Sequence, residues 1–252
     1  MGPVARGDAP LIVLLAGIAG AIFGSFLATL VLRWPARRSL GGRSVCDGCG
    51  RELRARELVP VLSYAWGRGR CRSCGARIDP LHPLIELASA ALTALAVALL
   101  PWDRAIWVSA ASLLLLTLAV LDGRHFWLPN TLTLTLGLLG LLASLAFSPS
   151  IEERLVGAAL GWSMLALIAW AYKMARGRTG LGAGDPKLFA AIGAWVGWMV
   201  LPMVLLSASL VGLAVAVILL VAGREVSATT QLPFGTLLAV AALLAIYWTA
   251  LH

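Results

Sequence analysis

The sequence predicts an all-α protein that crosses a membrane about eight times. Of its 252 residues, 60% are hydrophobic and only 13% are charged, whereas soluble proteins carry about 25% charged residues. Apolar runs also recur from Leu11 to Leu251, and about 20 apolar residues suffice for a helix to cross a bilayer. The alternative, a soluble helical protein with a large core, does not fit so low a charged fraction.

Four spans are predicted in the first part of the chain. The first, at 11–32, is too long for the apolar region of a signal peptide and has no small-residue cleavage site after it. A polar segment at 33–81 follows, and a segment of this length forms a domain only if a further interaction stabilises it. The next three apolar runs predict spans 2, 3 and 4 at 83–100, 105–121 and 131–147.

Four more spans are predicted in the second part. Span 5 is at 155–172, and the apolar run at 186–221 is about twice the length that a bilayer requires. Because Pro202 removes a backbone donor in the middle of this run, we predict two spans, 6 and 7, that meet near 201–202, span 6 being short and partly re-entrant. The loop at 222–232 leads to span 8 at 233–251.

Basic residues predict the orientation. The net charge is +8, and eleven arginines against three acidic residues occupy 33–77. In a soluble protein such a block would indicate nucleic-acid binding. Between two spans it is typical of a cytoplasmic loop beside anionic lipid headgroups, so we expect membrane lipids and no nucleic acid as partners. Alternation then places both termini outside, and Asp122 and Asp185 both at the cytoplasmic face.

The four cysteines predict a metal site in this loop. They form two C-x2-C pairs separated by 21 residues, at Cys46, Cys49, Cys71 and Cys74, a spacing close to that of four-cysteine zinc sites. Cytoplasmic thiols stay reduced, which disfavours disulfides. Four thiolates leave no open ligand position, so the prediction is a structural zinc ion that stabilises the small domain. Disulfides and free thiols are the alternatives.

Two aspartates join predicted spans to cytoplasmic loops. A carboxylate beside the hydrocarbon costs about 3 kcal/mol, so Asp122 and Asp185 need a reason to be there. Asp185 followed by Pro186 fits an ordinary helix N-cap, and Asp122 alone fits a loop residue. Gly182 and Gly184, however, allow the backbone to approach another chain closely, which favours a site.

Together, Asp122 and Asp185 can carry out acid–base hydrolysis. Two neighbouring carboxylates do not both ionise easily, so they share one proton. The ionised one can take a proton from water while the other protonates the leaving group. This chemistry requires neither a metal nor a covalent nucleophile, and the sequence leaves open which aspartate has which role.

Short motifs occur in a fixed order along nearly the whole chain. They are Gly24-Ser-Phe-Leu27 with Arg33-Trp-Pro35, Arg43-Ser-Val-Cys46, Pro60-Val-Leu-Ser-Tyr64, Gly69-Arg-Cys71-Arg-Ser-Cys74, Pro83-Leu-Ile-Glu86, Asp122 with Leu128-Pro-Asn130, Gly182-Ala-Gly-Asp185-Pro-Lys187-Leu188 and Pro233-Phe-Gly235. The ordered set resembles the type IV prepilin peptidases, a family of intramembrane aspartyl proteases with a GxGD-x-K-L motif. The resemblance implies catalytic roles for Asp122 and Asp185.

The resemblance also implies the reaction and its partners. The family cleaves the basic leader of prepilins or pseudopilins at the cytoplasmic face of the bacterial inner membrane. In its bifunctional members the cysteine-bearing domain accompanies N-methylation of the new amino terminus, with S-adenosylmethionine as donor. Glu86 would then contact substrate or serve methylation, its alternative being a charge that extends to the membrane interface. Lys187 would lower the pKa values of the two aspartates or bind a lipid phosphate.

The chain departs from the family pattern at four positions. Ala28, Asp47, His82 and Asn130 stand where the family has Asn, Pro, Tyr and Asp. None of these changes removes a catalytic aspartate or a cysteine. Ala28 and Asp47 fall near the region associated with methylation, so a peptidase without methyltransferase activity is the first alternative.

We therefore expect three parts: a first transmembrane helix at 1–32, a cytoplasmic zinc domain at 33–82 and a peptidase core at 83–252. Two other functions compete with this prediction. One is a non-enzymatic membrane assembly scaffold that carries a zinc module. The other is a transporter, which should show carboxylates near span centres and repeated halves, and the sequence shows neither.

Overall fold

The computed structural model describes residues 9–223 and 231–252, and this part of the chain is mostly helical. Most of the predicted loop at 222–232 therefore lies outside the described residues. The chain divides into two compact units, one up to Leu99 and one from Leu100. The boundary predicted between the zinc domain (33–82) and the peptidase core (83–252) divides the chain by function, and it stays a prediction.

The first unit contains helices α1 (Ala9–Arg33), α2 (Leu62–Trp66) and α3 (Leu81–Leu99). Glycines of α1 allow close contact between α1 and α3. A Cβ added to Gly20 would lie 2.6 Å from the Ser89 carbonyl oxygen, and one added to Gly24 would lie 2.9 Å from the Glu86 Cα atom. Small residues serve this purpose between membrane helices, so Gly24 of the first motif has a packing role.

The segment between α1 and α3 has little regular structure. Two isolated β-bridges, Val45–Glu52 and Arg70–Arg77, close the two cysteine loops. Each loop turns at a glycine with positive φ, Gly50 at 69° and Gly75 at 71°, a conformation that costs glycine least. A segment of this kind depends on local bonds and on a stabilising ligand more than on an apolar core.

The described residues of the second unit form five α-helices: α4 (Trp102–His125), α5 (Asn130–Leu142), α6 (Ile151–Arg176), α7 (Asp185–Val221) and α8 (Phe234–Leu251). α7 packs against α5, α6 and α8, while α4 packs against α5 and α8. α7 therefore contacts most of its unit, and its first residue is Asp185.

Glycines hold α6 and α7 in direct backbone contact. A Cβ added to Gly157 would lie 2.5 Å from the Gly193 carbonyl oxygen, and one added to Gly161 would lie 2.6 Å from the Phe189 carbonyl oxygen. Gly157 and Gly161 are four residues apart on α6, which is the spacing of small-residue packing motifs in membranes. This contact fixes the first part of α7 in the interior of the unit.

α7 is broken at Gly197, not at the predicted position. Gly197 has φ 71° and ψ 178°, whereas the helix continues through Pro202. Positive φ is accessible to glycine, and Pro202 lies only five residues into the following segment, where it removes a single backbone hydrogen bond. The break divides α7 into 185–196 and 198–221, so the predicted meeting point at 201–202 is wrong by about one helical turn.

The predicted class, an all-α polytopic membrane protein, is confirmed, but the count of eight spans is not. Within the described residues, six helices are long and apolar enough to cross a membrane: α1, α3, α4, α6, α7 and α8. Predicted span 4 corresponds to a shorter apolar helix, Asn130–Leu145, and predicted spans 6 and 7 correspond to α7 alone.

Arg154, which lies at the start of α6, is fully buried. The chain before α6 folds over it. Its three nitrogens donate five hydrogen bonds to backbone carbonyl oxygens, those of Gly140, Phe147, Ser148, Pro149 and Ala194. Ala194 is in the turn of α7 before the Gly197 break, so Arg154 connects that turn to the end of α5.

Candidate active site

Asp122 lies in the last turn of α4, and only 5% of its surface is exposed. Its backbone carbonyl accepts the N–H of Phe126, which ends the helix in the left-handed region at φ 49°. The chain then continues through Leu128 into α5. The end of α4 thus holds the Asp122 carboxylate inside the unit, next to the loop that follows it.

The first turn of α8 binds the Asp122 carboxylate. The Thr236 N–H donates to Asp122 Oδ2 over 2.7 Å. The Thr236 hydroxyl lies 3.3 Å from Oδ2 and 2.8 Å from the Ala119 carbonyl oxygen. N–H groups of a first helical turn have no partners within their own helix, so Asp122 caps α8 from a different helix.

Sequence analysis missed Thr236. The Pro233-Phe-Gly235 motif indicated the region, but no pattern named the next residue, because its role depends on a contact with a distant helix. The structure explains Gly235 itself: a Cβ there would lie 2.9 Å from Asp122 Cγ. Gly235 is therefore required for α8 to approach the carboxylate.

Asp185 is buried at the start of α7, again with 5% of its surface exposed. Its Oδ2 accepts the Gly182 N–H over 2.9 Å, and its own N–H donates to the Gly182 carbonyl oxygen. The predicted N-cap role is wrong: Gly184 occupies the cap position, without a side-chain cap. The Asp185 carboxylate instead turns back toward the glycine-rich segment that precedes it.

The two predicted aspartates belong to one electrostatic site, since the charge of Asp122 acts on the Asp185 carboxyl group. Leu128 lies beside the glycine that precedes Asp185 and beside the glycine that faces Asp122. A Cβ added to Gly184 would come 2.8 Å from Leu128 Cβ, and one added to Gly235 would come 2.9 Å from Leu128 Cδ1. The end of α4, the start of α7 and the start of α8 therefore meet around this leucine.

The segment between α6 and α7 is open to its surroundings. α6 ends at Gly177, whose φ is 68°, and residues 178–183 are irregular and mostly exposed. Within this segment Gly182 has no side chain that would crowd Asp185 Oδ2, which lies 3.1 Å from the position of a Cβ. The backbone beside Asp185 is thus accessible to an extended chain.

Lys187 points to a neighbour other than the aspartates. Its Nζ donates to Asn130 Oδ1 over 2.8 Å at an exposed position. This bond joins the start of α7 to the start of α5. The two predicted roles, an effect on the aspartates and binding of a lipid phosphate, stay predictions beside this observed contact.

Glu86 lies in the other unit, near the start of α3, and only 6% of its surface is exposed. Its Oε2 accepts the Val61 N–H over 2.7 Å. Burial argues against the alternative of a charge that extends to the membrane interface. Val61 has φ 61°, which is unusual for a β-branched residue, so the turn that reaches Glu86 is strained.

The four predicted metal ligands lie together. The Sγ atoms of Cys46, Cys49, Cys71 and Cys74 are all within 4.8 Å of one another, and those of Cys46 and Cys74 are 3.8 Å apart. Tetrahedral zinc with Zn–S bonds of about 2.3 Å implies S–S distances of about 3.8 Å. The cluster is therefore able to hold a metal ion.

Two family sequence models match this chain, and the residues that they match correspond to the two units. The sequence model of the bacterial peptidase A24 N-terminal domain matches residues 18–100, and that of the type IV leader peptidase family matches residues 109–217. No solved structure matches the chain.

Curated relatives cover most of the chain. A prepilin leader peptidase/N-methyltransferase of Pseudomonas aeruginosa is 36% identical over 259 residues, which cover 91% of this chain and 88% of that protein. Proteins of the same name from Burkholderia pseudomallei (44% over 208 residues; 81% and 67% covered) and Dickeya chrysanthemi (40% over 250 residues; 88% and 87% covered) are also similar.

Proposed function

The chain belongs to the type IV leader peptidase family, and we propose that it removes the leader of prepilins or pseudopilins and N-methylates the new amino terminus. It is a multi-pass membrane protein and an enzyme of the kind that its relatives' names describe. The observation that carries the proposal is the meeting of two buried carboxylates, Asp122 and Asp185, beside an exposed glycine-rich segment.

We assign catalysis to Asp122 and Asp185. Both carboxylates are buried, they interact electrostatically, and backbone N–H groups orient each of them. Gly182 donates one of those bonds, and Gly184 leaves room for Leu128. These contacts support a pre-organised acid–base pair in which a single proton is shared.

The hydrogen bonds favour different roles for the two aspartates. Asp122 Oδ2 accepts the Thr236 N–H over 2.7 Å and lies 3.3 Å from the Thr236 hydroxyl, whereas Asp185 Oδ2 accepts the Gly182 N–H over 2.9 Å. Hydrogen bonds from donors favour the ionised form of a carboxyl group. We therefore propose that the shared proton is on Asp185 and that Asp122 is the base.

The reaction then proceeds by direct attack of water. Asp122 takes a proton from water as the oxygen forms a bond to the scissile carbonyl carbon. Asp185 hydrogen-bonds the carbonyl oxygen and gives its proton to the departing nitrogen as the C–N bond breaks. The amino terminus of the mature pilin leaves as an amine, and the leader leaves with a new carboxyl group.

The accessible backbone at 178–183 supports an extended substrate beside Asp185. We propose that this face is cytoplasmic and that both termini are outside, because Lys173, Arg176 and Arg178 lie around the segment and basic loops stay in the cytoplasm. The basic leader of the substrate would remain on the same side.

Two cofactors follow from the proposed function. We propose that the four cysteines hold a structural zinc ion, which their number and mutual distances support. S-adenosylmethionine would supply an electrophilic methyl group for N-methylation. The zinc ion does not by itself support enzymatic activity, because a non-enzymatic scaffold, the alternative raised from the sequence, would hold the same ion.

Purified protein in detergent tests the proposal. The wild type and the variants Asp122→Asn and Asp185→Asn are mixed with a prepilin-like peptide and S-adenosylmethionine that carries a labelled methyl group. We expect cleavage and labelling by the wild type and no cleavage by either variant. Cleavage by both variants excludes the aspartate pair, cleavage without label leaves a peptidase only, and an inactive wild type favours the scaffold.

A further inference from the structure

Thr236, in the first turn of α8, contacts Asp122 through two groups that differ in their freedom to move. Its backbone N–H donates to Asp122 Oδ2 over 2.7 Å, and the helix fixes the direction of this N–H. Its side-chain hydroxyl lies between two oxygens of α4, the Ala119 carbonyl oxygen at 2.8 Å and Asp122 Oδ2 at 3.3 Å. Because a hydroxyl hydrogen rotates about its C–O bond, only this second group is able to change partner.

The hydroxyl has one hydrogen for these two acceptors. The Ala119 carbonyl oxygen lies at the usual O–H···O distance, whereas Asp122 Oδ2 is far for such a bond. The hydroxyl is therefore directed at Ala119, with Oδ2 within reach of a small movement. Ala119 does not depend on the hydroxyl, since its carbonyl also accepts the Gly123 N–H inside α4. Release of the Ala119 bond thus leaves no carbonyl unsatisfied.

Glycines on both helices make room for the hydroxyl and the carboxylate. A Cβ added to Gly123 would lie 3.2 Å from Thr236 Oγ1, and one added to Gly235 would lie 2.9 Å from Asp122 Oδ2. Either added group would displace one of these two oxygens. The close approach of α4 and α8 at this point therefore keeps the hydroxyl within reach of Asp122.

The two oxygens of the Asp122 carboxylate have different surroundings. Among the described residues, the hydrogen bonds to this side chain end on Oδ2, so Oδ1 has the greater spare acceptor capacity. In the proposed reaction Oδ1 is then the oxygen that takes the proton from water. Hydrogen bonds to an ionised acceptor are stronger than those to a neutral one, so Oδ2 attracts the hydroxyl before this step more than after it.

We propose that Thr236 is a positioning residue for Asp122, whose hydroxyl donates to Oδ2 while Asp122 is ionised and to the Ala119 carbonyl oxygen once Asp122 has taken the proton. The inference rests on the proposed role of Asp122 as the base. The bond to Oδ2 holds the carboxylate and leaves Oδ1 for water. The proton of water moves to Oδ1 as the water oxygen bonds the scissile carbon, and Thr236 keeps its own hydrogen throughout.

The methyl group of Thr236 offers a different explanation for this residue. The side chain is half-buried, and a β-branched side chain is stiff, so Thr236 would then serve helix packing alone. The two explanations predict opposite results for two substitutions. Thr236→Val keeps the shape and loses the hydroxyl, whereas Thr236→Ser keeps the hydroxyl and loses the methyl group.

Steady-state cleavage of a prepilin-like peptide by the detergent-purified proteins tests the proposal. We expect Thr236→Val to lower kcat about tenfold or more with KM changed less than about twofold, because the hydroxyl acts on Asp122 and not on the substrate. Thr236→Ser should keep kcat within about threefold of the wild type. Thr249→Val is the matched control: it lies on the same helix, its hydroxyl bonds the Ile246 carbonyl oxygen over 3.0 Å, and it should cleave as the wild type does.

A comparison of kcat in H2O and in D2O gives a readout that packing would not move. Since removal of a proton from water is the step that the hydroxyl assists, the solvent isotope effect should be at least as large for Thr236→Val as for the wild type. A smaller isotope effect would mean that the substitution slows another step, and it would overturn the proposal.

The remaining outcomes are equally decisive. The proposal is overturned by a wild-type kcat in Thr236→Val, by Thr236→Ser as slow as Thr236→Val, or by an equal loss in Thr249→Val. If Thr236→Val unfolds at a lower temperature than the wild type, Thr236→Ala takes its place. Faster cleavage by Thr236→Ser than by Thr236→Ala then supports the hydroxyl, and equal rates overturn it. An inactive wild type overturns the proposed function itself, whereas an active wild type with any of the earlier results overturns only the role of Thr236.

Discussion

Two buried polar clusters lie at the two ends of the 185–196 segment of α7, and they differ in how fully their hydrogen bonds are satisfied. At the Gly197 end, Arg154 has five N–H donors, and all five are bonded to backbone carbonyl oxygens. At the other end, a carboxylate offers about four acceptor sites, and the described residues fill only part of them on Asp122 and Asp185.

This difference distinguishes a buried charge with complete hydrogen bonds from the two carboxyl groups that we propose to be reactive. A buried charge whose hydrogen bonds are complete holds its surroundings in one arrangement. Buried carboxylates with lone pairs to spare can still bind water, a proton or a substrate carbonyl. Substitutions at the Arg154 end should therefore act on folding, and substitutions at the aspartate end should act on chemistry.

The largest effect is expected from Arg154→Met. The change leaves five buried carbonyl oxygens without their donor, and each unsatisfied group costs about 1–3 kcal/mol. We expect loss of most folded protein, measured as the yield of monodisperse protein in detergent and as its thermal unfolding temperature. Arg154→Lys keeps the charge but offers three donors and should lie between the two. If the Met variant is as stable as the wild type, the hydrogen bonds of Arg154 do not stabilise the fold.

Asp122→Asn and Asp185→Asn should abolish catalysis without lowering the stability of the fold. Asp122→Asn removes the single charge of a buried pair that shares one proton, and Asp185→Asn replaces the protonated carboxyl group by an amide of similar shape. Neither change adds a buried charge, so the variants should unfold at the wild-type temperature or above it. Peptide cleavage should fall below detection in the same samples, since neither variant keeps an acid–base pair. Unfolding several degrees lower, as expected for Arg154→Met, would mean that the aspartates hold the fold together instead.

The sequence drew attention to the aspartate end of this segment and not to the Arg154 end. Asp122 and Asp185 were found from residue type and motif, because a carboxylate at a membrane edge is costly wherever the chain folds. Thr236 and Arg154 were not assigned roles, because their partners lie on other helices or on backbone that folds over them. Hydrogen bonds to backbone carbonyls leave no signature in the residue types of the partners.

The position of the break in α7 could not be predicted for the same reason, because it depends on a contact between two helices. Pro202 is the usual signal for an interrupted helix, and it led to the wrong position. Gly197 adopts its positive φ where α7 is pressed against Gly157 of α6, a tertiary contact that no local pattern reports. The helical class was predictable because composition and run length determine it, whereas the number of spans depends on such breaks.

Gly235→Ala should lower activity with little loss of stability. The added Cβ would lie 2.9 Å from Asp122 Cγ, so the carboxylate must move, and a displacement of about 1 Å can cost about 100-fold in rate. Cleavage of a prepilin-like peptide by the detergent-purified variant measures the effect on kcat.

Gly212→Ala is the matched control for this change. Its added Cβ would also come 2.9 Å from a side-chain atom, Leu237 Cδ1, which is the end of a flexible side chain away from the carboxylates. We expect near-normal cleavage by this control. Equal losses in both variants would show that helix packing, and not the position of Asp122, limits the reaction.

The smallest effect is expected from the bond between Lys187 and Asn130. Both residues are exposed, and an exposed polar pair contributes about 0–1 kcal/mol, equivalent to a change of a few-fold in kcat/KM. A double-mutant cycle with Lys187→Met and Asn130→Ala measures the coupling directly. If the bond positions the start of α7, the double variant should be no worse than the poorer single variant. If the effects of the two substitutions simply add, Lys187 acts without Asn130, and its predicted roles beside the aspartates or a lipid phosphate become the better accounts.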